Sequence, residues 1–451
     1  MTYQEFKETV ISIAKEMQIA DYELYYTEGD SVSVEIYKEE VKGYSVEEGL
    51  GVCFRCIVEG RAGYASTENL TEEEAGSLVL RALDNAGCIE STEKAFLHEK
   101  GDTYAVYPKD IMEKPAGSEL IDAALTLQKN MYQTDARVSD GTQAILLCNR
   151  QKYALCNSKG LDLEDEVAMD ICYGMALVSD GEEMYDGLEG KRGRLQDFDL
   201  KAIADEAVEY AVSTIGAGSV PSGKYTVVFS NKAMAALLKT FAPVFSAEQA
   251  QRGMSLLAGK EGEKIAAEVV TIIDDPGYKD SYAMRTFDAE GVATYAKKVV
   301  EDGVLTTLLH NLKTAARAGV KSTGNAGKAT YDAVVDVMPF TFYIKAREDG
   351  QDNAGSPEDM FTLAQEGIYV TEVTGLHAGA NPVSGDFSLS SRGFLIREGK
   401  KGAPVKNFTV SGNFFALLKD IERVGTDLDF GTETYGSPSV LVRNISVAGK
   451  E

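Results

Sequence analysis

The chain has 451 residues, 44% of them hydrophobic and 26% charged, which is too long for one ordinary core, implies two or three domains of roughly 100–200 residues each, and excludes wholesale disorder. Its 71 Asp and Glu against 45 Lys and Arg leave a formal net charge of −26, which repels phosphate backbones and anionic lipid, so no direct nucleic-acid binding is expected. No run of about 18 apolar residues and no basic-then-apolar leader occurs, and Cys53, Cys56, Cys88, Cys148, Cys156 and Cys172 are too few and unevenly spaced for a disulfide framework, so a cytoplasmic protein with no membrane contact and reduced thiols is expected.

Residues 3–19 place Phe6, Val10, Ile13, Ala14 and Met17 on one helical face, and an extended stretch follows from Tyr22 to about Thr67 with a hairpin turn at Glu59–Gly63. The Cys53-x-x-Cys56 pair lies inside this strand-like run, where positions three apart face opposite sides, so it reads as structural rather than as a metal or redox motif. Thr71 with Glu74 predicts a capping box for a helix carrying Ala75, Leu78, Val79, Ala82 and Ala86. After a loop from Pro108 to Gly117, Ser118 is expected to cap a helix with Leu120, Ala124, Leu127 and Met131 on one stripe, and strands follow from about Val138 to Met184. The next helix turns Leu200, Ile203, Ala204, Ala207, Val208 and Ala211 inward, so the order helix, strands, helix occurs twice, a repeat of pattern rather than of residues. The runs Lys191-Arg192-Gly-Arg194 and Lys400-Lys401 are short and read as solvated loops without a role.

The segment Ile215–Gly223 marks a boundary, after which Tyr225–Phe229 is a buried-type strand and Lys232–Phe241 a helix rich in Ala and Leu. Val269–Ile273, Ala333–Met338, Ile368–Val370, Phe394–Ile396 and Ser439–Val442 read as strands, and Gly412–Gly425 as a helix packed on the sheet. The predicted fold class is therefore α+β: an α/β amino-terminal region of two helix-sheet-helix units, residues 1–107 and 108–220, followed by a large β-rich domain over 221–451.

A hydrolytic zinc site needs about three His, Cys, Asp or Glu ligands. The chain has three histidines, His98, His310 and His377, none paired at ligand spacing, and no cysteine beyond Cys172. Nucleophile-elbow, phosphate-loop and dinucleotide fingerprints are also absent. Asp274-Asp275-Pro276 reads as a strand end and turn. The remaining feature is Thr374–Ser388, a loop with glycines at 375, 379 and 385 and an Asn381-Pro382 step, which can expose backbone N–H groups to a peptide, with His377, Asn381, Ser384 and Asp386 as candidate peptide-binding residues.

These residues resemble the TldD/PmbA family, formerly described as modulators of DNA gyrase. The resemblance runs over nearly the whole chain and rests on Thr374–Ser388, Gly393–Ile396, Ser411–Asn413, Val424–Leu428 and Gly436–Val442, with Gly49–Gly51, Gly60–Thr67, Gly262-Glu263 and Asp274-Asp275. It implies a subunit of a two-component cytosolic metallopeptidase that degrades unfolded peptides or trims leaders, whose TldD-type subunit holds zinc through H-E-x-x-x-H and a later Cys. A gap-free count from Arg252-Gly253 and Gly262-Glu263 starts that motif at Leu238, and Leu238, Lys239 and Pro243 stand where its His, Glu and His would be. The departure resembles the PmbA (TldE) type. This implies no catalytic residue and no metal in this chain, zinc in a TldD-like partner subunit, a heterodimer and unfolded peptide as the ligand. The alternative is a stand-alone homodimeric regulatory or peptide-binding protein, and a metal-independent hydrolase using His377 with Asp386 or Ser384 lacks a supporting nucleophile motif.

Overall fold

The computed structural model describes residues 1–90, 93–108, 113–345 and 355–450. The first unit is α1 (Tyr3–Glu16), β1 (Asp21–Tyr37), β2 (Glu40–Val58), β3 (Arg61–Thr67) and α2 (Glu72–Cys88). The second repeats the order as α3 (Gly117–Thr134), β4 (Gln143–Asn157), β5 (Asp162–Ser179), β6 (Met184–Gly193) and α4 (Leu200–Ser213). Both units join in a single antiparallel sheet of order β3-β2-β1-β4-β5-β6, with β1 and β4 paired at its centre. The stripes expected on α3 and α4 are buried as read, apart from Leu200 at the α4 start, which is only partly covered. The helices α1 and α2 cover one half of the sheet face, around Phe54 and Leu24, and α3 and α4 cover the other, around Val34 and Leu146. Matching contacts support the repeat. Gly63 in β3 lets α2 approach until an added Cβ would lie 2.0 Å from the Ala82 carbonyl, and Gly187 in β6 does the same for α4 at 2.1 Å from the Ala207 carbonyl.

Several local expectations are corrected. Thr71 does cap α2, accepting from the Glu74 amide at 3.2 Å, but the Glu74 carboxylate turns to Arg81 at 2.7 Å, so the box is half made. Ser118 is not the cap of α3: the helix begins at Gly117, and Glu119 reaches back to accept from the Ala116 amide at 2.8 Å. Of the loop expected over 108–117, residues 109–112 lie outside the described residues. The strands do not stop at Met184, because Met184–Gly193 forms β6, and Lys191 and Arg192 are therefore in a strand facing the other half of the molecule rather than in a solvated loop. Cys53 and Cys56 are buried on opposite faces of β2, as the spacing requires.

The carboxyl-terminal half contains β7 (Gly223–Phe229), α5 (Asn231–Phe241), α6 (Ala247–Gln251), β8 (Thr271–Asp274), β9 (Lys297–Glu301), β10 (Val304–Leu305), α7 (Leu312–Ala318), β11 (Ala326–Gly327), β12 (Asp336–Val337) and β13 (Phe342–Lys345). It continues with α8 (Pro357–Ala364), β14 (Gly367–Thr374), α9 (Leu376–Gly379), β15 (Asp386–Arg397), β16 (Lys400–Asn413), α10 (Phe414–Asp420), β17 (Ile421–Val424), β18 (Tyr435–Gly436) and β19 (Val440–Ala448). Ala333–Met338 is mostly loop, with only Asp336–Val337 paired, and Gly412–Gly425 is strand, one short helix and strand in succession. One sheet has the order β16-β15-β14-β7-β19-β17, and a further β16–β19 pairing closes five of these strands into a barrel. A second sheet, β10-β9-β8-β13-β18, shares the same core, into which α5 sends Leu237, Leu238 and Phe241. Asp274 is wholly buried and accepts from Lys297 at 3.0 Å, Asn325 at 2.7 Å and the Phe340 amide at 2.8 Å, which confirms a structural role at that strand end. The two halves meet where Tyr25, Cys53, Tyr153 and Leu155 of the amino-terminal sheet pack on Phe287, Ala289 and Ala326.

Candidate functional site

A cavity of about 850 Å³ opens where β6, α5, the start of the loop after β14, and residues 429–435 converge. Its position follows from α5. Ser230 caps that helix by accepting from the Ala233 amide at 3.1 Å, and Met234, Leu237, Leu238 and Phe241 bury one face in the core, where Phe241 stacks on Phe414 with ring centroids 4.5 Å apart. The opposite face, at helical spacing, is left to the cavity and carries Lys232, Ala235, Ala236, Lys239 and Thr240.

The cavity wall is largely apolar, with Leu188, Phe430 and Tyr435 among its residues, and it also carries paired charges. Glu189, almost without water, is clasped by Lys232 and lies 3.6 Å from Lys191, which in turn reaches Asp429 at 3.5 Å. Lys239 pairs with Glu433 at 2.8 Å, both half-exposed. Burial, with the charge of Glu189, pushes the neighbouring Glu206 carboxyl above its ordinary value. Arg192 of β6 donates to the Thr432 carbonyl at 2.6 Å and the Ser281 carbonyl at 3.1 Å, and burial pulls its guanidinium down to about 10. These bonds hold the 429–433 segment against the amino-terminal sheet, so the cavity is built by both halves of the chain.

Among the described residues, no three His, Cys, Asp or Glu side chains gather as a metal-ligand group. The α5 face toward the cavity offers two ammonium groups, two methyls and a hydroxyl, and the nearby carboxylates of Glu189 and Glu433 are already paired with lysines. Positive charges and hydrogen-bonded carboxylates at these positions do not fit a resident zinc ion. Among the described residues of the cavity wall, no hydroxyl or thiol is bonded to a base, so the arrangement supplies an open, largely apolar slot flanked by ion pairs rather than a nucleophile.

Of the positions read as a replaced zinc motif, Lys239 lines the cavity, Leu238 faces the core with no exposure, and Pro243 lies exposed beyond the end of α5. Of the four candidate peptide-binding residues, only His377 lines the cavity. Asn381 accepts from the Val383 amide at 3.0 Å, Ser384 accepts from the Asp386 amide at 3.3 Å, and Asp386 accepts from Asn413 at 2.9 Å. Hydrogen bonds from Asn413 and Ser384 hold the Asp386 carboxyl below its usual range. The amides of Gly379, Asn381 and Gly385 already donate inside the loop, so these three N–H groups are not displayed to a ligand. Sequence reading missed Leu188, Glu189 and Lys232. The basic run at 191–194 was the available signal, since it borders Glu189, but nothing local says that it faces another domain.

The chain matches family models for the PmbA/TldA metallopeptidase domain 1 over residues 22–86, the central domain over 112–215 and the C-terminal domain over 222–449. An uncharacterised protein of Methanocaldococcus jannaschii is 29% identical over 400 residues, covering 88% of this chain and 90% of that protein. The metalloprotease PmbA of Escherichia coli O157:H7 is 23% identical over 435 residues, covering 94% and 91%. Among solved structures, a Thermotoga maritima protein described as a candidate modulator of a DNA gyrase superposes with a TM-score of 0.90 at 30% identity, covering 99% of this chain and 100% of that one. TldE from Thermococcus kodakarensis shares the fold, with a TM-score of 0.89 at 22% identity over 98% and 100%.

Proposed function

Because this chain belongs to the PmbA/TldA metallopeptidase family, we propose that it is the subunit of a two-component cytoplasmic peptidase that carries no zinc of its own. It encloses unfolded peptide and presents it to a zinc-bearing relative of the TldD type. The observation that carries this reading is the cavity face of α5, where Lys232, Ala235, Ala236, Lys239 and Thr240 stand in a metallopeptidase fold without a single zinc donor among them. The apolar part of the cavity wall suits side chains of an extended peptide, which a folded protein keeps in its own core. The half-exposed Lys239–Glu433 pair can exchange partners with a peptide's charged groups at little cost, since such ion pairs are worth only about 0–1 kcal/mol.

The test is co-expression with the H-E-x-x-x-H relative from the same genome, followed by size-exclusion chromatography, zinc analysis and cleavage of an unfolded peptide. Zinc and peptide cleavage are expected only in a peak containing both chains. Chelator-sensitive cleavage by this chain alone would overturn the proposal.

A further inference from the structure

The joint between the two halves has an apolar side and a charged side. Residues 286–294, between β8 and β9, press Phe287 and Ala289 on Tyr25, Cys53 and Leu155, and Gly291 comes so close that an added Cβ would lie 2.6 Å from Leu161. On the charged side three carboxyl groups surround one guanidinium: Glu23 of β1, Asp288 and Glu290 of the segment, and Arg55 of β2, each 4% exposed or less. Arg55 lies 2.8 Å from Glu23 and 3.6 Å from Glu290, whereas Glu23 Oε2 has no hydrogen-bond partner among the described residues. Asp288 accepts from the amides of Glu290 at 2.9 Å, Val292 at 3.0 Å and Ala326 at 2.9 Å. Glu290 accepts from the Leu312 amide at 2.8 Å. The neighbouring charges do not close the deficit. Lys328 stands over the Tyr25 and Tyr64 rings at 5.0 and 5.9 Å, and the Tyr64 hydroxyl lies 3.5 Å from Arg55. Lys313 of α7 is taken by Glu248 at 3.0 Å. Across the segment, His98 is paired with Asp102, which also accepts from the Ala293 amide, and Tyr104 donates to the Gly291 carbonyl. At the near end, Asp165 accepts from the Thr286 amide and hydroxyl, and Arg285 donates to the Tyr153 hydroxyl.

We propose that this cluster is a proton-controlled latch between the halves: closed while its three carboxyl groups hold one proton, and released, with residues 286–294 lifting off the amino-terminal sheet, when that proton leaves. Burying an ionised carboxylate without a matching charge is strongly unfavourable, and lifting the segment lets water reach it. Burial pushes the Glu23 carboxyl up to about 7 and the Asp288 carboxyl up to about 8, and the charge of Glu290 adds to both shifts. Burial raises Glu290 as well, against the pull of Arg55. In water these groups titrate near about 3.9 and about 4.3. The closed joint therefore binds a proton that the open joint releases, so closure is favoured below those values and weakens as pH rises through 7 to 8. The other contact between the halves, Arg192 with the Thr432 and Ser281 carbonyls, relies on acceptors that do not titrate. The halves therefore part first at the Arg55 end. The inference does not depend on the proposed peptidase role.

Hydrogen exchange of the full chain at about pH 6 and about pH 9, on either side of the titration and corrected for the intrinsic exchange rate, tests it. The amides of Glu290, Val292, Leu312 and Ala326 are bonded to the carboxyl groups of the cluster. Their protection is expected to fall at least about tenfold at the higher pH, as a local opening linked to proton release requires, while amides of the β1–β4 ladder keep theirs. Glu23→Gln removes one of the three charges and is expected to make the protection of those four amides independent of pH. Glu290→Gln, which keeps Glu23 on Arg55, is a second variant with the same expectation. Protection that does not change with pH, a fall shared by the β1–β4 ladder, or a fall that persists in both variants overturns the proposal.

Discussion

Arg55 serves both halves of the molecule with one guanidinium. It lies 2.8 Å from Glu23 of the same sheet and 3.6 Å from Glu290 of the carboxyl-terminal half, and all three side chains are about 5% exposed or less. Two carboxylates share one cation away from water, so one of them is held short of full ionisation. Burial pushes the Glu23 carboxyl up to about 7, Arg55 opposes the shift and the charge of Glu290 adds to it. An unfolded glutamate titrates near about 4.3. The folded state therefore holds a proton that the unfolded chain has released between those values. The associated stability is fully present below about 4.3 and is lost as pH rises through 7. Comparing Glu23→Gln with the unmutated protein in urea at pH 5 and pH 8 is expected to show a steeper loss in the unmutated protein, by on the order of 2 kcal/mol. Parallel losses would show that Glu23 is ionised throughout.

At the scale of single elements, three glycines separate close packing from helix propensity. Gly63→Ala and Gly187→Ala force a methyl against the backbone of α2 and α4, and each is expected to cost about 1–3 kcal/mol through overpacking. Gly76, inside α2 with open space around it, is expected to gain about 0.5–1 kcal/mol as Ala. Equilibrium unfolding of the three variants measures all of this, and a stabilising Gly187→Ala would refute the matched-contact account of the repeat. The helices themselves were legible because a burial stripe is a local pattern: Leu120, Ala124, Leu127 and Met131 recur on one face whatever lies across from them. Strand β6 was not, because Met184–Gly193 holds three glycines and several charges and becomes a strand only by pairing with β5. The cavity was half legible for the same reason. His377 and Lys239 stood in segments that attract notice in the sequence, whereas Glu189 acquires its role from Lys232, which is 43 residues away along the chain.

For the molecule as a whole, the two amino-terminal units are separate in sequence but form one sheet. A fragment of residues 108–215 leaves the 15 residues of β4 without β1, and open edges of that length aggregate. The fragment 1–215 keeps the β1–β4 ladder. The longer fragment is expected to be soluble and to unfold cooperatively by circular dichroism, and the shorter one to sediment on expression. A soluble, cooperatively folding 108–215 would mean that the second unit is a domain in its own right.

The barrel of the carboxyl-terminal half closes through β19, which pairs with β7, β16 and β17. Strand β7 is made first and β19 last, so at roughly 5–20 residues per second the ribosome works for about 10–45 s after Gly223 before Val447 exists. During that interval β7 has no partner on its β19 side and the core around α5 has no wall there. Folding of this half is therefore obliged to wait for synthesis through β19, and a nascent chain stalled before it would present open strands to chaperones rather than a partly working domain.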